Sequence, residues 1–165
     1  MKKILVTGNA GAGKSTFSQK LGEKLKMEVH GLDKIVWRPG WKKTPDNEKK
    51  ELIKKITDGE EWIIDGVSQD VFNEAEVVIF LDFPKRVCYW RVFKRNWKYL
   101  FSSRPGLPEN CPEILIMKRL ALIIWKFHKN YRPNLLSEMK KHEQAKIIVH
   151  INSNKLLEDF LSQAG

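Results

Sequence analysis

Gly8-Asn9-Ala10-Gly11-Ala12-Gly13-Lys14-Ser15, followed by Thr16, satisfies the pattern G-x-x-x-x-G-K-[ST] at every fixed position. Glycines let the backbone curve round a phosphate with no Cβ in the way, so that successive N–H groups converge as an anion nest. A helix beginning there adds unpaired N–H donors and the positive end of its dipole. Lys14 has the reach for the β- and γ-phosphates, and the Ser15 hydroxyl stands where it can ligate Mg²⁺. The stretch Gly8 to Thr16 therefore implies a nucleoside-triphosphate site.

Outward from this stretch the context agrees. Lys3 to Thr7 predicts a short buried strand, and Ser15 to Lys26 an amphipathic helix. Further strands are predicted at Glu28–Gly31, Trp62–Ile64, Val77–Leu81 and Lys146–Ile151. Helices are predicted from Pro45 (with Thr44 as N-cap) to Asp58, and over Lys85–Phe101, Glu113–Asn130, Pro133–His142 and Lys155–Gln163. Ser102 to Pro112, with three prolines, reads as a mobile loop. Strands alternating with helices predict one α/β domain over residues 1–165, a five-stranded parallel sheet flanked by helices. A helical lid insert occupies roughly residues 85–132 of it.

Charge is unevenly spread. Lys85 to Arg132 holds twelve Lys and Arg against Glu109 and Glu113, which accounts for the whole net charge of +10. Such a segment must face something anionic or be strongly solvated. Cys88 and Cys111 lack metal or redox spacing and read as reduced thiols. The N-terminal apolar run, Ile4 to Val6, is too short for a signal peptide. Leu120 to Trp125 falls far below the roughly 20 residues of a membrane span. These features predict a soluble cytoplasmic protein with no membrane partner.

In open α/β sheets ligands bind beyond the carboxyl ends of the strands. That rule sets Asp33, Asp65 and Asp82 on the rim that holds the phosphate loop. Asp65 joins Ser15 as the candidate metal ligand, and Asp33 is a candidate for orienting or deprotonating an acceptor hydroxyl. Asp82, before Phe83-Pro84, reads instead as a turn residue or N-cap. Arg91 and Arg95 stand one helical turn apart, so their guanidinium groups leave one face and suit a transferring phosphoryl group. With Lys14 and Asp33 they form the candidate catalytic set. Arg132 is added as a candidate nucleotide contact, and Trp37 either stacks on a base or belongs to the core. His128, His142 and His150 form no ligand pattern and read as structural.

Beyond the phosphate loop, Trp62-Ile63-Ile64-Asp65-Gly66 resembles the strand-end Asp-Gly of adenylate kinases, and Arg91-Val92-Phe93-Lys94-Arg95 their R-x-x-x-R entering the lid. More of the chain resembles bacterial proteins labelled DNA topology modulation protein (FlaR-related), described as adenylate-kinase-like. The pieces are Leu32-Asp33 with Trp37-Arg38-Pro39-Gly40-Trp41, Val78 to Asp82, Arg104-Pro105-Gly106 with Cys111-Pro112-Glu113, and Trp125 to His128 with Tyr131-Arg132-Pro133. The resemblance implies a nucleotide-kinase-like P-loop NTPase fold, ATP and Mg²⁺ at Gly8–Thr16, and a lid before the last strand. Val67-Ser68 departs from the Asn-Tyr expected after the Asp-Gly.

The leading functional expectation is an ATP-dependent kinase for a small acceptor, such as a nucleoside, nucleotide or other hydroxyl compound. The alternative is an ATP-dependent regulator that lays residues 85–132 along nucleic-acid phosphates; no helix-turn-helix or RNA-binding signature accompanies it. A bare NTPase switch ranks third. Arginines converging on the phosphate loop would favour the kinase, and basic residues spread over an outer face would favour nucleic acid.

Overall fold

The computed structural model describes residues 2–98 and 117–164. Its organising element is a five-stranded sheet in the order β2-β5-β1-β6-β7, parallel throughout. The strands are β1 (Lys3–Gly8), β2 (Val29–Gly31), β5 (Trp62–Asp65), β6 (Val77–Leu81) and β7 (Ile147–Ile151). β1, β5 and β6 are almost wholly buried, as expected for parallel strands covered on both faces.

Alternation along these strands makes two cores. Ile4, Val6, Ile63 and Ile79 pack on one face against Phe17 and Leu21 of α1 (Lys14–Leu25) and Leu161 of α8 (Asn154–Gln163). Leu5, Ile64, Val78 and Phe80 pack on the other. There they meet Ile53 of α3 (Asp46–Thr57), Val71 and Phe72 of α4 (Gln69–Glu74), and Leu135 and Met139 of α7 (Arg132–Lys141). β1 lies at the centre and delivers its C-terminal glycine to the rim between β5 and β6.

Several details differ from the sequence reading. The chain between β2 and α3 holds a short helix, α2 (Leu32–Val36), and a two-stranded antiparallel hairpin, β3 (Trp37–Arg38) with β4 (Lys42–Lys43). Thr44 is not an N-cap. It is buried and its backbone N–H donates to the Val36 carbonyl, so the helix starts later, with Pro45 in the capping position. α4 is unpredicted; Ser68 caps it by accepting from the Val71 N–H, which gives one member of the divergent Val67-Ser68 pair a structural task.

The basic helix α5 spans Lys85–Lys98. The helix expected over Glu113–Asn130 is α6 (Met117–Lys126) followed by one π-helical turn, Phe127–Tyr131, in which the Arg132 N–H donates to the Phe127 carbonyl. Such a turn accommodates one extra residue and re-aims the helix beyond it. The loop predicted over Ser102–Pro112 lies outside the described residues, as do the predicted ends of the helices on either side of it. Among the described residues no helix is long and apolar enough to cross a membrane.

Candidate active site

The phosphate loop runs from the end of β1 to the start of α1. Gly8 and Gly11 are required by what lies against them. A Cβ on Gly8 would stand 2.5 Å from the Leu81 carbonyl oxygen, and one on Gly11 would stand 2.5 Å from that of Cys88. Both glycines have positive φ, so any other residue is strained there as well as blocked. The Ala12 N–H donates to the Asn9 carbonyl, and α1 begins with the Phe17 N–H donating to the Gly13 carbonyl. Lys14 arcs back over the loop and its Nζ donates to the carbonyls of Gly8 and Asn9, 3.0 Å each. Ala10 is half-buried, while Ser15 and Thr16 are exposed at the helix start.

Asn9 does more than supply backbone. Its side chain is buried; Oδ1 accepts from the Ala10 N–H at 2.8 Å and Nδ2 donates to the Ile124 carbonyl of α6 at 3.1 Å. The loop is thus tied to the helix that returns from the basic segment.

Arg91 comes to this loop from α5. Nη1 donates to the Ala12 carbonyl at 2.7 Å, Nη2 donates to Asn154 Oδ1 at 2.7 Å, and the guanidinium lies 4.2 Å from the centre of the Phe83 ring. Arg95, one turn on, lies against the side-chain oxygen of Asn96 at 3.3–3.4 Å. Asn154 escapes the sequence reading, although the rule of strand ends covers it: it opens α8 directly after β7.

The carboxylates divide. Asp65 ends β5 in register with Val6 of β1 and is buried, and the next residue, Gly66, donates its N–H to the Val6 carbonyl. Asp33 stands exposed in the first turn of α2, one strand further out. Trp37 follows it half-buried, with the Arg119 guanidinium of α6 over its ring at 5.1 Å. The acceptor-side loop and the returning helix therefore meet.

Asp82 corrects the sequence reading. It is neither a simple turn residue nor a cap: its buried carboxylate takes two hydrogen bonds from Arg132, 2.8 and 2.7 Å, and one from His150 at 2.8 Å. Burial pushes the carboxyl up, but those hydrogen bonds and the positive charge outweigh it and hold the group below its ordinary value. The same pair raises Arg132. Arg132, a candidate nucleotide contact by sequence, is engaged here by Asp82. His128 lies nearby with its Nε2 buried and without a hydrogen-bond partner, and burial keeps its pKa down. Asp82, Pro84, His128, Arg132 and Asn152 line a depression of about 410 Å³ beside the rim.

A family model described as AAA domain matches residues 4–99, from β1 through the end of α5. The chain belongs to the AAA domain family. Its phosphate loop is accordingly that of a nucleotide-binding P-loop domain. Among solved structures, it is similar to shikimate kinase from Acinetobacter baumannii in complex with shikimate, with a TM-score of 0.60 and 14% identity, covering 99% of this chain and 90% of that one. It is also similar to shikimate kinase from Bacteroides thetaiotaomicron, with a TM-score of 0.52 and 16% identity, covering 97% and 94%. At such identities the likeness is one of fold. It establishes the α/β P-loop architecture with its parallel sheet, of the shikimate-kinase kind. No curated protein matches the sequence.

Proposed function

We propose that the protein is a kinase that transfers the γ-phosphoryl group of ATP to a small hydroxyl-bearing acceptor, in a cytoplasmic setting. The observation that carries this reading is Arg91. It leaves the basic segment and turns inward to contact the phosphate loop at Ala12, rather than joining an outer cationic face. A planar guanidinium there, with the Lys14 ammonium on the same loop, provides two fixed positive groups for the charge that spreads over the oxygens of a transferring phosphoryl group.

The other candidates fill the remaining roles. Gly8 to Thr16 cradle the ATP phosphates, and Arg95 and Arg132 become nucleotide contacts when the lid closes. Asp33 orients the acceptor hydroxyl and takes up its proton as the oxygen attacks. The Asp65 carboxylate and the Ser15 hydroxyl are hard oxygen donors on adjoining strand ends, which suits Mg²⁺, an ion that keeps waters and phosphate oxygens as its other ligands. Bound there, Mg²⁺ would neutralise phosphate charge. The acceptor enters between α2 and Asp65-Gly66, where exposed Val67 faces solvent.

The test is ATP turnover with Mg²⁺, with and without a pool of nucleosides, nucleoside monophosphates and small hydroxy acids. One fraction should stimulate turnover, and Lys14→Ala should lower it on the order of 10²-fold or more. If no fraction stimulates, and the protein instead binds DNA in an ATP-dependent and salt-sensitive way, the kinase reading is wrong.

A further inference from the structure

Helix α5 has a side that the phosphate chemistry does not use. Cys88, Val92 and Asn96 are buried beneath it, and Arg91 reaches the phosphate loop. On another side Trp90, Phe93 and Trp97 stand 64%, 52% and 70% exposed. Their spacing puts them in one row. Trp90 and Phe93 are 6.3 Å apart centre to centre, Phe93 and Trp97 6.1 Å. Arg86 and Lys94, both exposed, stand on the same outer side, and the helix carries six Lys and Arg with no Asp or Glu. Three large aromatic rings left in water in a continuous row mark an interaction surface.

Charge and geometry select the occupant. A second copy would bring the same cationic helix against this one, which opposes symmetric pairing. A single nucleic-acid strand needs free ring faces. These rings pack on one another at about 6 Å, less than the roughly 7 Å that two van der Waals contacts of a base would require. Side chains this exposed also line no groove for a strand. A membrane surface fits both features: aromatic rings settle at the boundary between headgroups and acyl chains, and flanking Arg and Lys meet anionic headgroups.

We propose that the outer face of α5, formed by Trp90, Phe93 and Trp97 with Arg86 and Lys94, docks on an anionic phospholipid bilayer, lying on the surface without crossing it. The sequence expectation of no membrane partner rests on the shortness of the apolar runs. That criterion concerns spanning helices; a helix lying in the interface needs one aromatic face and basic flanks instead. The proposal stands apart from the kinase reading, because vesicle binding requires no turnover.

Cosedimentation of the full chain with phosphatidylcholine vesicles, with and without phosphatidylglycerol, tests it. The bound fraction should rise on the order of tenfold on the anionic vesicles and fall with added salt. The double variant Trp90→Ser with Trp97→Ser should lose roughly tenfold or more of that binding. Its thermal midpoint should stay close to the parent's, because the rings are exposed. Arg86→Glu with Lys94→Glu should lose the salt-sensitive part. The proposal is overturned if neither vesicle binds, or if the double tryptophan variant sediments like the parent. It is equally overturned if that variant loses binding to a single-stranded oligonucleotide or breaks up a dimer while vesicle binding is unchanged.

Discussion

The phosphate loop and the cluster round Asp82 lie on the same rim, a strand apart, and are built in opposite ways. The loop is made from consecutive residues, and its working groups are backbone: glycines that bend, N–H groups that converge, one lysine folded back on its own carbonyls. The cluster is made from residues 50 and 68 positions apart, and its working groups are charged side chains that meet only after folding. A site written locally tolerates little change of backbone. A site assembled from afar tolerates little change of charge. The two regions should therefore fail differently.

The largest effect should come from the loop. Gly11→Val places a branched side chain against the Cys88 carbonyl at a positive φ, and should cost on the order of 3 kcal/mol. A thermal melt should show a fall in Tm of roughly 10 °C, together with loss of nucleotide binding. A variant that melts like the parent would mean that the loop is not held by its backbone.

Next comes Asp82→Asn, which leaves Arg132 and His150 without their shared carboxylate and should cost about 2 kcal/mol in urea unfolding. Nucleotide affinity should change only a few-fold. If it fell as far as in Lys14→Ala, the two regions would be one site. The pH dependence sharpens this. The folded Asp82 carboxyl lies below its unfolded value, near 3.8, so its stabilisation is complete above that pH and is lost as the pH falls through the folded pKa. The gap in stability between the parent and Asp82→Asn should hold at neutral pH and close in acid.

The smallest effect should be that of Asn9→Ala, about 1 kcal/mol, since it removes the buried hydrogen bond to Ile124 and leaves the loop's backbone intact. Hydrogen exchange should then rise at the loop and in α6 together. A response confined to the loop would show that the tie to α6 carries no coupling.

The same contrast explains what can be read from the chain. The strands are legible because each is a short apolar run with turn residues behind it, and the loop because its chemistry is contiguous. Asp65 and Asp33 are found through the rule of strand ends. Asp82 is found by position but misjudged, because nothing near it in sequence announces Arg132 or His150. Arg91 is found as one of a pair; that it touches Ala12, 79 residues away, and shares Asn154 is not visible in the chain. α2 and the β3–β4 hairpin are missed because elements of two to five residues carry too little periodicity to register.

The π-helical turn at Phe127–Tyr131 sets the phase of everything after it. Excising a single residue there would convert the turn to an ordinary α-helix and rotate α7 by about 100° relative to α6. Arg132 would swing away from Asp82, and Leu135 and Met139 would leave the sheet. Chain length at this turn, more than side-chain identity, is therefore what a redesign must preserve. An insertion elsewhere in the same helical arm could restore the phase only if it lay before Arg132.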